Sequence, residues 1–227
     1  MIKLIVFDWD DVFTLGSTQG YLKCYHEALV EVGVHLDPEE EKKRILARWS
    51  TPHREKFTTY ILKENPELLD KACEAYERNL FGKTFVNEII VIDGTVQLLN
   101  RLHRKYKLSV ATGMDPKLLK ETIMPKFKIP SVFSRVLSAY DVEDAAKHKP
   151  HPHMLEELMK CQKAKPEETI FVGDARDDVL MAKAAHVEPI VVLTGHLNRK
   201  EAEELGVKYI ISEVTKLERV LSALNPT

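Results

Sequence analysis

The placement of short apolar runs does most to limit what this chain can fold into. Runs rich in β-branched residues stand at 2–7, 108–111, 136–138, 169–172, 189–193 and 209–211, whereas none stands between about 21 and 85. Stretches with helical spacing occupy 96–104, 117–124, 153–161, 179–185 and 199–205. Strands alternating with helices imply right-handed crossovers, and so a parallel sheet covered by helices on both faces. Between 21 and 85 apolar residues return at helical spacing, as at Leu22, Tyr25, Leu29 and Val32. Asp37-Pro38, Thr51-Pro52 and Asn65-Pro66 read as helix starts there, because proline is tolerated where the backbone N–H has no partner. The expected architecture is an α/β, doubly wound parallel-sheet core at 1–14 and 89–227. An all-α bundle of about four helices at 15–88 interrupts it after the first strand.

Composition removes several function classes. The 227 residues include 33 Lys+Arg against 35 Asp+Glu with no long basic run, which argues against a nucleic-acid partner. The longest apolar stretches, 89–92 and 190–193, are far too short to span a bilayer. No signal-peptide pattern precedes the first run, and Cys24, Cys73 and Cys161 are odd in number and widely spaced. These features predict reduced thiols in a cytoplasmic protein that needs neither a membrane nor an obligate protein partner.

Three of the strand-like runs end on polar residues. The first enters Asp8-Trp9-Asp10-Asp11, another Thr112-Gly113, and a third Gly173-Asp174 followed by Asp177 and Asp178. Ligands of doubly wound sheets bind beyond the carboxyl ends of the strands, where strand order reverses. If these strands are neighbours, one crevice collects up to six aspartates, and a cluster of that kind needs a counter-charge. Oxygen-only ligation suits a hard cation, with Mg2+ the obvious candidate. A bound cation invites phosphate, for which Thr112, the N–H groups after it and Lys149 supply partners. His148, His151 and His153 fit no common zinc spacing and read as a solvated loop.

On these residues the chain resembles the haloacid dehalogenase-like superfamily, in its phosphatase branch with a helical cap, which includes phosphoglycolate phosphatases and β-phosphoglucomutases. The family's DxDx[TV] motif matches Asp8-Trp9-Asp10-Asp11-Val12, and its strand ending in Ser or Thr matches Leu108-Ser109-Val110-Ala111-Thr112. Its Lys-Pro element matches Lys149-Pro150, and its GDxxxD matches Gly173-Asp174-Ala175-Arg176-Asp177-Asp178. The resemblance implies a Rossmann-like core with an inserted cap. It also implies a Mg2+-dependent phosphomonoester hydrolase that acts on a small phosphorylated metabolite through an aspartyl-phosphate.

Asp8 is then the nucleophile, Asp10 the general acid and base, and Thr112, Gly113 and Lys149 the phosphate binders. Asp8, the main-chain carbonyl of Asp10, Asp174 and Asp178 are the implied metal ligands. Asp11 and Asp177 are expected to be structural. The segment 48–54 matches the specificity loop of such caps, and Arg54, near a helix N-terminus, is the candidate for an anionic leaving group. Arg48 and Lys56 are weaker candidates. Three positions depart from the family pattern: Leu15-Gly16 after the first motif, Met114 after the second and His186 after the fourth. A sugar-phosphate mutase would keep all four motifs. A phosphoacceptor domain would cluster similar residues on a shorter chain without a helical insert.

Overall fold

The computed structural model describes residues 1–47 and 51–225. Strand β1 (Leu4–Phe7) is followed by β2 (Thr14–Leu15), and then by α1 (Ser17–Glu31), α2 (Pro38–Leu46), α3 (His53–Lys56), α4 (Leu69–Phe81) and α5 (Thr84–Glu88). The chain continues through β3 (Ile90–Val91), α6 (Thr95–Leu102), β4 (Lys107–Thr112), α7 (Met124–Lys126), β5 (Phe133–Ser138) and α8 (His153–Gln162). It closes with β6 (Thr169–Gly173), α9 (Arg176–Ala184), β7 (Glu188–Val192), α10 (Arg199–Glu204), β8 (Tyr209–Ile211) and α11 (Leu217–Leu224). Among the described residues, no helix is long and apolar enough to cross a membrane.

Six strands form one parallel sheet in the order β5-β4-β1-β6-β7-β8. The chain leaves β1 towards β4 and β5, then crosses back to build β6, β7 and β8 on the other side. Strand order therefore reverses around β1, which places its carboxyl end in the crevice where such sheets bind ligands. Phe7 pairs level with Val110 of β4 and Val172 of β6, so the three strands end within two residues of one another.

The two-residue period of the strands separates two cores. Ile5 and Phe7 of β1, Val110 of β4 and Ile170 and Val172 of β6 point to one face. Leu4, Val6, Ala111 and Phe171 point to the other, against Met154 and Leu158 of α8 and Met181 of α9. This double burial explains why the central strands read as continuous apolar runs. The first core runs without a break into the helical insert through Trp9 and Phe13 to Tyr25, Leu29, Phe57 and Tyr76.

Within the insert, Asp37 caps α2 as expected, its Oδ1 accepting from the N–H groups of Glu39 (3.0 Å) and Glu40 (3.2 Å). The other two helix starts differ from expectation. Pro52 itself stands at the N-cap of α3, and Asn65-Pro66 opens a 3-10 turn, Pro66–Leu68, before α4 begins. Neither Thr51 nor Asn65 caps a helix with its side chain. The described part of the insert holds five α-helices, and α5 is too short for a residue period to reveal it.

The sequence reading also missed β2 and β3, which pair antiparallel where the chain leaves the sheet unit and returns to it. Two paired residues per strand give no alternation to detect. Gly16, one of the departures from the family pattern, follows directly at φ +87°, and a Cβ there would meet the Glu88 carbonyl oxygen. Only glycine fits that crossing. His186 adopts the left-handed conformation itself (φ 58°), which keeps the turn usually made by glycine.

Candidate functional site

The ends of β1, β4 and β6 carry the predicted residues. Asp8 follows β1 directly and its N–H donates to the Val172 carbonyl (2.9 Å). Lys149, buried on the loop before α8, reaches Asp178 Oδ1 at 2.7 Å and Asp8 Oδ1 at 3.1 Å. Asp178 is placed by local geometry: its Oδ2 accepts from the N–H groups of Asp174 and Ala175, both at 3.1 Å, at the start of α9. That fold-back requires Gly173, where a Cβ would lie 2.5 Å from Asp178 Oδ2. Asp174 is oriented from the other side by the His196 N–H (2.9 Å).

Asp8, Asp174 and Asp178 are all buried, and they offer carboxylate oxygens that lie within 4.8 Å of one another. Three carboxylates stand against one ammonium. The cluster therefore retains net negative charge out of water, and its all-oxygen donor set fits a hard divalent cation. Asp11, Asp174 and His196 make a second group of the same tightness. Asp11 is turned into it by a left-handed backbone (φ 53°) and by the Thr18 hydroxyl, which donates to its Oδ2 at 2.9 Å.

The carboxyls respond electrostatically to this crowding. Burial raises Asp8 to about 6 from 3.8, with Lys149 pulling down and Asp178 pushing up. Burial lifts Asp10 well above the carboxylate range, and the charges of Asp8 and Asp11 add to it. Asp174 is raised in the same way, by burial and then by Asp178 and Asp8. Burial alone would lower Lys149, but Asp178 and Asp8 more than offset it and leave its ammonium strengthened.

A carboxyl raised on folding binds a proton more tightly folded than unfolded, so stability falls as pH rises through its window. Between about 4 and 6, the window set by the Asp8 shift from 3.8, the metal-free protein is therefore expected to lose stability as pH rises. Urea titrations at several pH values in EDTA check this, and a midpoint that rises through that window contradicts it.

Thr112 is buried at the end of β4, and its Oγ1 accepts from the Met114 N–H (3.1 Å), which leaves the hydroxyl proton to donate elsewhere. Met114 itself is buried, its carbonyl held by Ser138 Oγ at 2.6 Å. Gly113, Asp8 and Asp10 open on a pocket walled by Tyr21, Tyr25, Thr51, His53, Lys56 and Tyr76 of the insert and by Asp115 and Tyr140 of the sheet unit. The Tyr21 hydroxyl donates to Asp10 Oδ2 at 3.3 Å, while Asp10 Oδ1 is buried without a hydrogen-bond partner among the described residues.

The pocket corrects the expectation for the leaving-group side. Arg54 lies on the outer surface, more than half exposed, and donates to Asp70 Oδ1 at 2.5 Å; it does not line the pocket. Its neighbours on α3 point inward instead, because His53 and Lys56 lie on the buried side of that short turn. Lys56 is buried, and its Nζ donates to the carbonyls of Ile45 (2.7 Å) and Ala47 (2.9 Å). Arg48 lies outside the described residues.

His53 and the tyrosines were missed as site residues. Tyr25 recurs at helical spacing with Leu22 and Leu29 and so reads as ordinary core. Burial lowers the His53 imidazolium, with Glu77 pulling the other way, and this favours the neutral ring. His148 is buried, its Nε2 on the Val142 carbonyl at 2.8 Å, rather than on the solvated loop expected for the histidine group. Asp177 is half-buried on the first turn of α9.

The chain is 30% identical over 190 residues to a pyrophosphatase, PpaX, of Anoxybacillus flavithermus, with 81% of this chain and 80% of that protein covered. It is 29% identical over 216 residues to a phosphoglycolate phosphatase of Photorhabdus laumondii, covering 90% of this chain and 86% of the relative. A crystal structure of a haloacid dehalogenase-like hydrolase from Bacteroides fragilis superposes with a TM-score of 0.78 at 20% identity, covering 96% of this chain and 100% of that one. The family model for haloacid dehalogenase-like hydrolases matches residues 2–186, which takes in every strand end that carries the aspartate cluster. The chain belongs to the haloacid dehalogenase-like hydrolase family.

Proposed function

We propose that the protein is a Mg2+-dependent phosphomonoester hydrolase that acts on a small phosphorylated metabolite in the cytoplasm, with Asp8 as nucleophile. The observation that carries this reading is the buried convergence of Asp8 and Asp174, at the ends of adjacent strands, with Asp178 of α9 and Lys149 of the loop before α8. The named relatives, a pyrophosphatase and a phosphoglycolate phosphatase, support a small phosphate compound as substrate. Asp8, Asp174, Asp178 and the Asp10 carbonyl would hold the Mg2+, which when bound offsets the charge of the phosphoryl oxygens and of Asp8.

The residues divide the work as follows. Asp8 attacks phosphorus in line; an Asp8–phosphorus bond forms as the bond to the leaving oxygen breaks. Asp10, raised well above the usual carboxylate range, carries a proton and gives it to that oxygen. It then takes a proton from the water that attacks the aspartyl-phosphate, which releases phosphate and regenerates Asp8. Lys149 and the N–H groups at Gly113 meet the phosphoryl oxygens, with the Thr112 hydroxyl as a further donor. Residues 15–88 serve as a lid, with β2 and β3 as the crossing between lid and core.

The test is release of inorganic phosphate from a panel of small phosphate esters with and without Mg2+. Release that requires Mg2+ and is lost in EDTA is expected. Isomerisation of a sugar phosphate without net release would convert the reading to a mutase. A stable phosphoprotein with no turnover on any ester would instead make the chain a phosphoacceptor.

A further inference from the structure

Among the described residues, one side-chain bridge joins the helical insert to the far wall of the pocket and engages both ring nitrogens of His53. His53 of α3 places its Nδ1 2.9 Å from the Tyr140 hydroxyl and its Nε2 3.1 Å from Glu77 Oε1. Its backbone N–H donates to the same Tyr140 oxygen at 3.3 Å. Glu77 can only accept when ionised, so the His53 proton sits on Nε2 and Nδ1 must accept from the tyrosine. Tyr140 then gives its proton to Nδ1 and takes the backbone N–H, so each donor meets an acceptor. The His53 ring also stacks on Tyr76, with ring centres 5.0 Å apart and planes 27° apart. Tyr140 is set from the sheet side, on a 3-10 turn (Ala139–Asp141) capped by Ser138, whose Oγ accepts the Tyr140 N–H at 3.2 Å.

Both members of the bridge line the pocket that opens on Asp8 and Asp10. With the bridge made, the free volume of that pocket is about 40 Å3. Such a volume holds on the order of three waters, enough for a leaving group of a few heavy atoms and too little for an aromatic ring. His53 bounds the pocket on the insert side and Tyr140 on the sheet side, so the bridge fixes the span between those two walls.

We propose that the His53–Tyr140 bridge is a specificity-determining closure that sets the size of the leaving-group pocket and selects compact phosphate esters over bulky ones. This rests on the phosphatase reading above. Compact substrates react with the bridge intact and gain from the excluded water. Bulky substrates must break two hydrogen bonds before the phosphoryl group can seat. Tyr140 and His53 are positioning residues in this account, and neither transfers a proton to substrate.

Acetyl phosphate, a compact acyl phosphate, and p-nitrophenyl phosphate, a bulky aryl ester, test the proposal, since both carry activated leaving groups. Comparing their ratio in variant and wild type cancels the difference in intrinsic reactivity. In Tyr140→Phe the ratio of kcat/KM for acetyl phosphate to that for p-nitrophenyl phosphate should fall about tenfold, the effect of two lost hydrogen bonds. The acetyl phosphate loss should appear mainly in KM. His53→Gln should move the ratio in the same direction and serves as the second variant if Tyr140→Phe folds poorly. A ratio that stays within about twofold in a folded variant overturns the proposal, even if both activities drop, since a purely structural role lowers both together. Wild-type protein that releases phosphate from neither compound nor from any ester of the panel above would overturn the phosphatase reading first, and the proposal with it.

Discussion

Asp8→Asn is expected to reduce Mg2+-dependent phosphate release by about 10,000-fold or more, while the protein stays folded and the Tm in EDTA does not fall. The activity loss follows from removing the only group proposed to bond to phosphorus. The stability expectation follows from the surroundings of Asp8. Burial is the largest influence on its carboxyl and pushes it up to about 6, so the ionised form is disfavoured in the metal-free fold. A neutral isostere removes that penalty. Lys149 keeps its closer partner, Asp178 at 2.7 Å, and is not orphaned. Ion binding should weaken, so the rise in Tm that Mg2+ gives the wild type by mass action should shrink in the variant. Thermal unfolding with and without Mg2+, beside a phosphate-release assay, measures all three quantities. Activity within tenfold of wild type would remove Asp8 from the proposed mechanism.

Lys149→Met is expected to have the largest effect on stability, a loss of about 3–5 kcal/mol in EDTA together with loss of turnover. The Lys149 ammonium is buried between Asp8 and Asp178 and also lies 5.4 Å from the Phe171 ring centre. Its removal leaves three clustered carboxylates with no cation, and an unpaired buried charge costs far more than the pair itself contributes. Two further results separate this cause from simple loss of packing. Mg2+ should restore part of the lost stability by supplying the missing positive charge. The double variant Lys149→Met with Asp178→Asn should be more stable than the single variant, because it deletes one of the uncompensated charges. Additive losses in the double variant would show that charge balance is not what Lys149 supplies. Urea unfolding at fixed pH, in EDTA and in Mg2+, reads these differences.

The two halves of the chain were legible to different degrees. In the sheet unit, 209–211 coincides with β8, and the runs at 108–111, 169–172 and 189–193 each fall within a residue of an observed strand. Burial on both faces leaves an unbroken apolar signature in such strands. In the insert, α3 covers one turn and passes directly into a π-helical turn (Phe57–Ile61), so its register could not be extrapolated from periodicity. That is why Arg54 looked like the residue facing the substrate although His53 and Lys56 take that direction. A helix start marked by proline indicates where a helix begins but not which way its first turn faces.

The sequence by itself determined the alternating α/β core, the strand-free insert after the first strand, and the residue types at the strand ends. These are local properties: a run of β-branched residues, a glycine before an aspartate, a lysine before a proline. Only the tertiary structure decided which of the six aspartates share one cluster and what roofs it. Asp8 and Asp178 meet Lys149 because strand order reverses around β1, and pairing of β1 with both β4 and β6 is a long-range outcome. Asp11 joins Asp174 and His196 through a left-handed backbone that no motif announces. The leaving-group pocket depends on how the insert docks, which is set by packing along the whole shared core. His53 and Tyr140, 87 positions apart, become partners only through that docking.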